Sequence, residues 1–235
     1  MEQVFFINPV AGKRDASAEL VPRIQAAARQ LQLPQPQIVV TQYAGQAREA
    51  ARRYAASGTP VALYVCGGDG TLNELVQGAA GSASVAVGCV PCGSGNDYVR
   101  NFGAAGQAPF LDFAAQLQAQ PCRVDLLQTS LGIGFDICAA GRDAQVAYGI
   151  PKFRRLPGCG GTAAYTLSIL QAMLSRFGHK LRVAIDGKEY TGTYMMAAIC
   201  NGGYYGSGYQ AAPYAALDDG LLDIVLVKPN SRVQV

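Results

Sequence analysis

Gly67-Gly68-Asp69-Gly70-Thr71-Leu72-Asn73-Glu74 follows directly on the apolar run Val61–Cys66. A continuous apolar run of that length, ended by glycines, reads as a buried strand feeding the start of a helix. Working outward, the same grammar repeats on both sides. Val4–Val10 is a β-rich run, and Ser17–Gln32 has helical spacing through Leu20, Ile24, Ala28 and Leu31. Gln37–Thr41 reads as a strand, Gly45–Ser57 as an Ala-rich helix and Val61–Val65 as a buried strand. A helix from Leu72 to about Gly78 and a strand over Ser84–Val90 complete the pattern. Alternating strands and helices predict an α/β fold with a mostly parallel sheet and helices on both faces. Right-handed crossovers put the strand C-termini on one edge, where ligands of such sheets bind.

Beyond Pro121 the pattern changes. Cys122–Gln128, Leu181–Ile185, Tyr190–Ile199 and Leu222–Val227 read as strands, with Asp186-Gly187 as a hairpin turn and Thr162–Ser175 as the main helix. Strands with few helices between them predict an antiparallel β-rich second domain. The boundary falls between Leu117 and Val124, giving domains over residues 1–121 and 122–235.

At about 150 residues per domain, 235 residues make one large domain or two small ones, enough to bury a core without disulfides or zinc. Half the residues are hydrophobic and 15% are charged, which excludes a disordered tail or a coiled coil. A net charge of +3 from scattered basic residues gives no footprint for nucleic acid. No run approaches the ~18 apolar residues of a membrane span. The opening MEQVFFINPV lacks the basic region of a signal peptide, so a cytoplasmic protein is expected. Of the seven cysteines, only Cys89-Val-Pro-Cys92 has redox or zinc spacing, without a second pair or a nearby His to complete a metal site. Cys66, Cys89, Cys138 and Cys200 read as small hydrophobes, and His179 as a solvated loop residue.

Three loops carry the chemistry: Asn8-Pro9-Val10-Ala11-Gly12-Lys13, Gly67–Glu74, and Pro91-Cys92-Gly93-Ser94-Gly95-Asn96-Asp97. Each follows an expected strand and opens an expected helix. Glycines let backbone N–H groups approach an anion, and a helix N-terminus adds partial positive charge. Lys13 adds a full charge, and Thr71 and Ser94 add hydroxyl donors. One such loop alone is more often an ordinary βα turn. Three on one sheet edge describe a polyphosphate site. Asp69 puts a carboxylate among phosphate oxygens, which is repulsive unless Mg²⁺ lies between them. Neither a Walker A sequence nor a dinucleotide fingerprint is present.

GGDGTLNE at Gly67–Glu74, GSGND at Gly93–Asp97 and Arg100 together resemble the diacylglycerol kinase catalytic domain family, which includes sphingosine and ceramide kinases and bacterial lipid kinases. The likeness continues in Val124-Asp125-Leu126, Gly132-Ile133-Gly134-Phe135-Asp136, Asn201-Gly202-Gly203-Tyr204 and Asp218-Asp219-Gly220-Leu221-Leu222-Asp223. It implies that Asn8, Gly12, Lys13, Thr41, Gly67, Gly68, Asp69, Gly70, Thr71, Leu72, Asn73 and Ser94 surround ATP, with Lys13 and Arg100 as basic partners. It makes Asp69, Asp97 and Asp125 the carboxylates near Mg²⁺ and the transferred phosphoryl group. It also implies a structural Mg²⁺ at Asp219, with carbonyls near Ala216 and Leu221. From residue types alone, the same stretch is equally an acidic turn before a strand.

The resemblance implies an ATP- and Mg²⁺-dependent lipid kinase acting on a hydroxyl such as that of diacylglycerol, with a nucleotide-binding first domain and a lipid-holding second one. An NAD kinase-like activity and a non-catalytic ATP- or lipid-binding protein are the alternatives. Two departures stand out. Between Leu127 and Gly132 only Gln-Thr-Ser-Leu remains of a longer strand–turn–strand. The general base of the family, a Glu in a Asp-Gly-Glu segment, is expected beyond Val235, so the chain is expected to be incomplete. Asp186-Gly187-Lys188-Glu189 occupies a hairpin instead. Peripheral membrane contact is expected through Lys152-Phe153-Arg154-Arg155, of equal standing with a solvated loop. The sequence leaves a homodimer open.

Overall fold

Every residue of Val61–Gly67 is buried, as expected of a strand covered on both faces and flanked on both edges. The structure is a computed structural model describing residues 1–12, 14–141, 144, 149, 152, 153, 156, 166–168, 170, 171 and 178–229. The first elements are β1 (Glu2–Ile7), α1 (Ser17–Gln30), β2 (Gln37–Val40), α2 (Gln46–Ser57), β3 (Val61–Gly67), α3 (Asp69–Ala79) and β4 (Val85–Pro91). A 3₁₀ turn (Tyr98–Phe102), α4 (Gly103–Leu111) and α5 (Phe113–Gln118) follow. Then come β5 (Leu127–Thr129), β6 (Gly132–Gly134), β7 (Ile137–Gly141), β8 (His179–Ile185) and β9 (Lys188–Tyr194). The last are β10 (Met196–Cys200), β11 (Tyr204–Tyr205), β12 (Tyr209–Gln210) and β13 (Asp223–Val227).

The expected α/β sheet is present: β2-β1-β3-β4, parallel throughout. Side-chain alternation splits its core in two. Phe5, Ile7, Ala62, Tyr64 and Cys66 face α1 and α5 through Leu20, Ile24, Phe113 and Leu117. Val4, Phe6, Val61, Leu63 and Val65 face α2 and α3 through Ala47, Ala50, Ala51, Leu75 and Ala79. Phe5 stacks on Tyr64 at 4.5 Å between ring centroids, and Phe113 meets Phe5 edge-on at 6.1 Å. The outer edge at β4 is partly covered by the buried Gln116, whose Nε2 donates to the Cys89 carbonyl at 2.7 Å.

The antiparallel β-rich region follows as expected, with differences in detail. β10 lies between β13 and β7, and β8 pairs with β9. The Asp186-Gly187 turn is a hairpin with both residues left-handed, at φ 47° and 78°, as a two-residue type I′ turn requires. The strand expected over Cys122–Gln128 is reduced to Leu127–Thr129. The Asp125 N–H donates to the Leu217 carbonyl, and the Asp125 carbonyl accepts from the Asn201 side chain, so that backbone is engaged outside any ladder. The strand expected over Tyr190–Ile199 breaks at Met195, whose N–H turns to Val227, separating β9 from β10. The short Leu127–Gly134 segment forms the β5–β6 hairpin, its turn closed by Thr129 Oγ1, which donates to Gly132 O at 2.9 Å and accepts from Leu131 N. The Thr162–Ser175 helix falls largely outside the described residues.

By contacts the chain divides into two units. The first joins Met1–Asp136 to Asn201–Leu221; the second groups the described residues of Ile137–Cys200 and Leu222–Val235. No helix among the described residues is long and apolar enough to cross a membrane.

In the first unit, α2 and α3 approach so closely that a Cβ on Gly78 would lie 2.6 Å from the Ala51 Cβ. Gly78→Val is expected to destabilise the protein by about 2–3 kcal/mol through overpacking, read as a lowered urea midpoint. An unchanged midpoint would mean the helices separate freely.

Candidate active site

The parallel strands end on one edge, and the three glycine-rich loops leave from it. In the first loop, Asn8 Nδ2 donates to Thr71 Oγ1 at 2.8 Å, while its Oδ1 accepts from Val10 N. Thr41 docks beside it, with N–H and hydroxyl both donating to Ile7 O. Gly12 is left-handed, at φ 76°, and a Cβ there would lie 2.5 Å from the Cys92 carbonyl oxygen. A Cβ on Gly68 would lie 3.1 Å from Gly93 Cα, and one on Gly67 3.0 Å from the Thr71 side chain. These glycines therefore let the loops pack against one another. Gly70 differs: a Cβ there meets nothing within 4 Å.

The second loop begins its helix earlier than expected, at Asp69. Gly68 has extended backbone (φ −99°, ψ −176°), and its carbonyl accepts from the Thr71 and Leu72 N–H groups. The Leu72 side chain is buried with Cys89, Val99 and Phe135, and its N–H is taken by the Gly68 carbonyl, so its expected place beside ATP finds no free donor. Asn73 is half-buried and Ser94 exposed. The third loop opens a 3₁₀ turn instead of an α-helix. It is closed by Asn96, which accepts from Gly93 N and donates to Gly93 O, each at 2.9 Å. Lys13 lies outside the described residues, as do Arg154 and Arg155 of the basic stretch.

Two carboxylates meet here, Asp69 and Asp97, and Asp136 lies within reach of their charges. The space above Gly95 is bounded by two of them, Asp69 Oδ2 lying 2.9 Å and Asp97 Oδ2 3.3 Å from where a Gly95 Cβ would stand. Asp69 Oδ1 accepts from Tyr98 N at 3.3 Å. Asp97, only 8% exposed, accepts from Ser207 N at 2.9 Å and Gly208 N at 2.7 Å. Arg100 Nε stands 3.5 Å from Asp97 Oδ1, and another of its nitrogens donates to Gly95 O at 3.2 Å. Burial raises the Asp97 pKa, opposed by the Ser207 N–H, and the Asp69 charge adds to the rise. Burial pushes Asp136 up to about 7; Asn101, donating at 3.2 Å, opposes this, while the Asp69 and Asp97 charges add to it.

Asp125 is held at a different place. Its Oδ2 accepts from Gly220 N at 2.7 Å, and its N–H donates to Leu217 O. It thus joins the Asp218-Asp219-Gly220 turn, where Asp219 Oδ1 accepts from Leu221 N at 2.9 Å. Among the described residues, the Ala216 and Leu221 carbonyls take no hydrogen bond, and no group of three His, Cys, Asp or Glu side chains is placed to hold a metal ion by itself.

Sequence reasoning did not single out Asp136, Asn101, Asn201 or Ser207. Asn101 bridges Tyr98 O, Asp136 Oδ1 and Gly203 N. Asn201, 1% exposed, donates to Asp125 O and Phe135 O, and its own Oδ1 is buried without a partner among the described residues. Asp136 and Asn201 stand in GIGFD and NGGY, so the signal lay in motifs already visible; Asn101 and Ser207 carried none.

Residues 2–129 match the pattern described as the diacylglycerol kinase catalytic domain, and residues 136–235 match the YegS C-terminal NAD kinase beta sandwich-like domain. A probable lipid kinase YegS-like from Chromohalobacter salexigens is 32% identical over 69% of this chain and 52% of its own length. One from Pseudomonas aeruginosa is 30% identical over 95% of this chain and 68% of its own. A diacylglycerol kinase of Bacillus subtilis is 26% identical over 80% and 61%. The chain thus spans between about half and two thirds of these relatives. In fold it is similar to a diacylglycerol kinase structure from Bacillus anthracis, with TM-score 0.71, 24% identity, and coverage of 99% of this chain and 75% of that one. The chain belongs to the diacylglycerol kinase catalytic domain family.

Because its folded-state pKa is raised, Asp136 holds a proton that the unfolded chain releases at lower pH. Its contribution to stability is full below the ordinary value of 3.8 and is lost as pH rises through about 7. In Mg²⁺-free buffer, Asp136→Asn is expected to flatten the fall in urea-unfolding free energy between about pH 4 and pH 7. An unchanged slope would mean that Asp136 ionises normally.

Proposed function

We propose that this chain is the catalytic region of an ATP- and Mg²⁺-dependent lipid kinase, transferring the γ-phosphoryl group to a lipid hydroxyl such as that of diacylglycerol. Family membership supports it, and one observation carries it: the Asp69 carboxylate stands beside Gly95 and Asp97 where three close-packed loops leave the sheet edge. The acceptor oxygen forms its bond to the γ-phosphorus as the bond to the ADP oxygen breaks, and the hydroxyl proton passes to a base. The resemblance puts that base in an Asp-Gly-Glu segment. Positioning and charge neutralisation are the main tasks of the protein. The loops of residues 1–121 hold the nucleotide, and residues 122–235 hold the lipid, with contact at a membrane surface.

Mg²⁺ prefers hard oxygen donors and keeps several waters. The residues fit it: among the described residues Asp69 Oδ2 accepts no hydrogen bond, so Asp69 would hold the ion of the transfer site. The free carbonyls of Ala216 and Leu221, with Asp219, suit a second, structural ion. Bound there, the first ion supplies neutralisation of phosphate charge.

The test is transfer of labelled phosphate from ATP to diacylglycerol in mixed micelles, with NAD as the competing acceptor. Labelled lipid is expected. Label on NAD alone would establish the NAD kinase-like alternative, and ATP binding without transfer by the full-length protein would establish a binding protein.

Two substitutions refine the reading. Asp69→Asn is expected to lower turnover by at least about 100-fold while leaving the thermal midpoint nearly unchanged. Activity within tenfold of wild type at saturating Mg²⁺ would remove Asp69 from the chemistry. Gly70→Ala probes phosphate approach cleanly, because the added methyl has room within the protein. Helix propensity favours it by about 0.5–1 kcal/mol, so stability should rise while calorimetric ATP affinity falls about tenfold. Unchanged affinity would mean that the phosphates do not pass over this turn. Gly68→Val is a poorer probe, since its side chain would also push against Gly93.

A further inference from the structure

The β11–β12 hairpin ends in a tip whose three residues are all left-handed: Gly206 at φ 62°, Ser207 at 72° and Gly208 at 106°. Glycine adopts this conformation freely, whereas serine is strained in it. Successive N–H groups in such a bend converge on one point and make a concavity that attracts an anion. Here the anion belongs to the protein. Ser207 N donates to Asp97 Oδ2 and Gly208 N to Asp97 Oδ1, so each carboxylate oxygen takes one N–H. Arg100 backs this arrangement, its guanidinium lying 3.2 Å from where a Gly208 Cβ would stand, which with the positive φ of 106° disfavours a larger residue there. A second tie lies along the same 3₁₀ turn, where Asn101 Oδ1 accepts from Gly203 N at 2.7 Å.

The tip delivers one side chain. Ser207 is exposed, and its Oγ lies 3.6 Å from the point above Gly95 that is 2.9 Å from Asp69 Oδ2. A strained serine between two glycines, held beside the carboxylate of the transfer site, has its hydroxyl as the distinguishing feature.

We propose that Asp97 is a positioning residue that acts through this tip, and that Ser207, the residue it positions, donates its hydroxyl to an oxygen of the γ-phosphoryl group. The inference rests on the nucleotide site proposed above and departs from the role in which Asp97 itself stands at the ion. A hydroxyl on the γ-phosphoryl group distinguishes ATP from ADP, which lacks that group.

The test is calorimetry of the full chain with ADP and with a non-hydrolysable ATP analogue, both with Mg²⁺. Ser207→Gly keeps both N–H donors, removes the hydroxyl and relieves the backbone, so it folds at least as well as wild type. It is expected to bind the ATP analogue about tenfold more weakly and ADP unchanged. Equal loss for both nucleotides, or none for either, would overturn the Ser207 contact. If wild type bound neither nucleotide, the kinase reading itself would fail, and the contact with it.

The tie is tested without ligand. Asp97→Asn leaves an amide that accepts with one oxygen only, so amide hydrogen exchange at whichever of Ser207 and Gly208 then faces the NH2 group should quicken at least tenfold. Exchange at wild-type rate in a folded variant would show that Asp97 does not hold the tip. Should that variant fail to fold, Asp97→Glu serves, since its longer side chain displaces both acceptors and is expected to quicken the same two amides.

Discussion

Two backbones meet at Gly68 and Gly93 with no side chain between them, and the site depends on that approach. A Cβ on Gly68 would lie 3.1 Å from Gly93 Cα. With the two loops this close, Asp69 at the start of α3 reaches the Gly95 turn and accepts from Tyr98 N. The third loop keeps its shape because Asn96 spans it, itself left-handed at φ 54°. Bulk at either glycine would part the loops and move Asp69 away from Asp97.

Bringing carboxylates together costs free energy, because each charge opposes ionisation of the next. The protein offsets that cost with backbone N–H groups from distant chain. Asp97 draws on Ser207 and Gly208, and Asp69 on Tyr98. Among the described residues the Asn101 amide alone donates to the Asp136 carboxylate, and burial holds its proton to about pH 7. A cation among these groups would be attracted to charge that the fold has only partly neutralised.

The parallel sheet was legible in the sequence because its apolar runs, glycines and amphipathic helices all agree. Phe5 and Ile7 face one core and Val4 and Phe6 the other, as strand alternation dictates. Legibility failed where backbone found partners outside ladders. Val124 and Asp125 belong to an apolar stretch, yet Asp125 bonds to Leu217 and Asn201. Met195 lies within a β-rich run, yet its N–H turns to Val227. In the site, the loop glycines were legible, but their packing on one another was not. That Asp136 comes within reach of the Asp69 and Asp97 charges, while Asp125 joins the Asp219 turn, depends on folding distant segments together. Spacing along the chain holds no record of such contacts.

The first unit is discontinuous in sequence, joining Met1–Asp136 to Asn201–Leu221. On the ribosome, roughly 85 residues separate the end of its first segment at Asp136 from the end of its second at Leu221. At about 5–20 residues per second, that leaves an interval of about 4–17 s. During it Asp97 lacks the Ser207 and Gly208 N–H groups, and Asn101 lacks Gly203. A nascent chain at this stage has its apolar strands made and the carboxylate of Asp97 without its later partners, and the incomplete unit exposes surface of the kind that favours aggregation until residue 221 arrives.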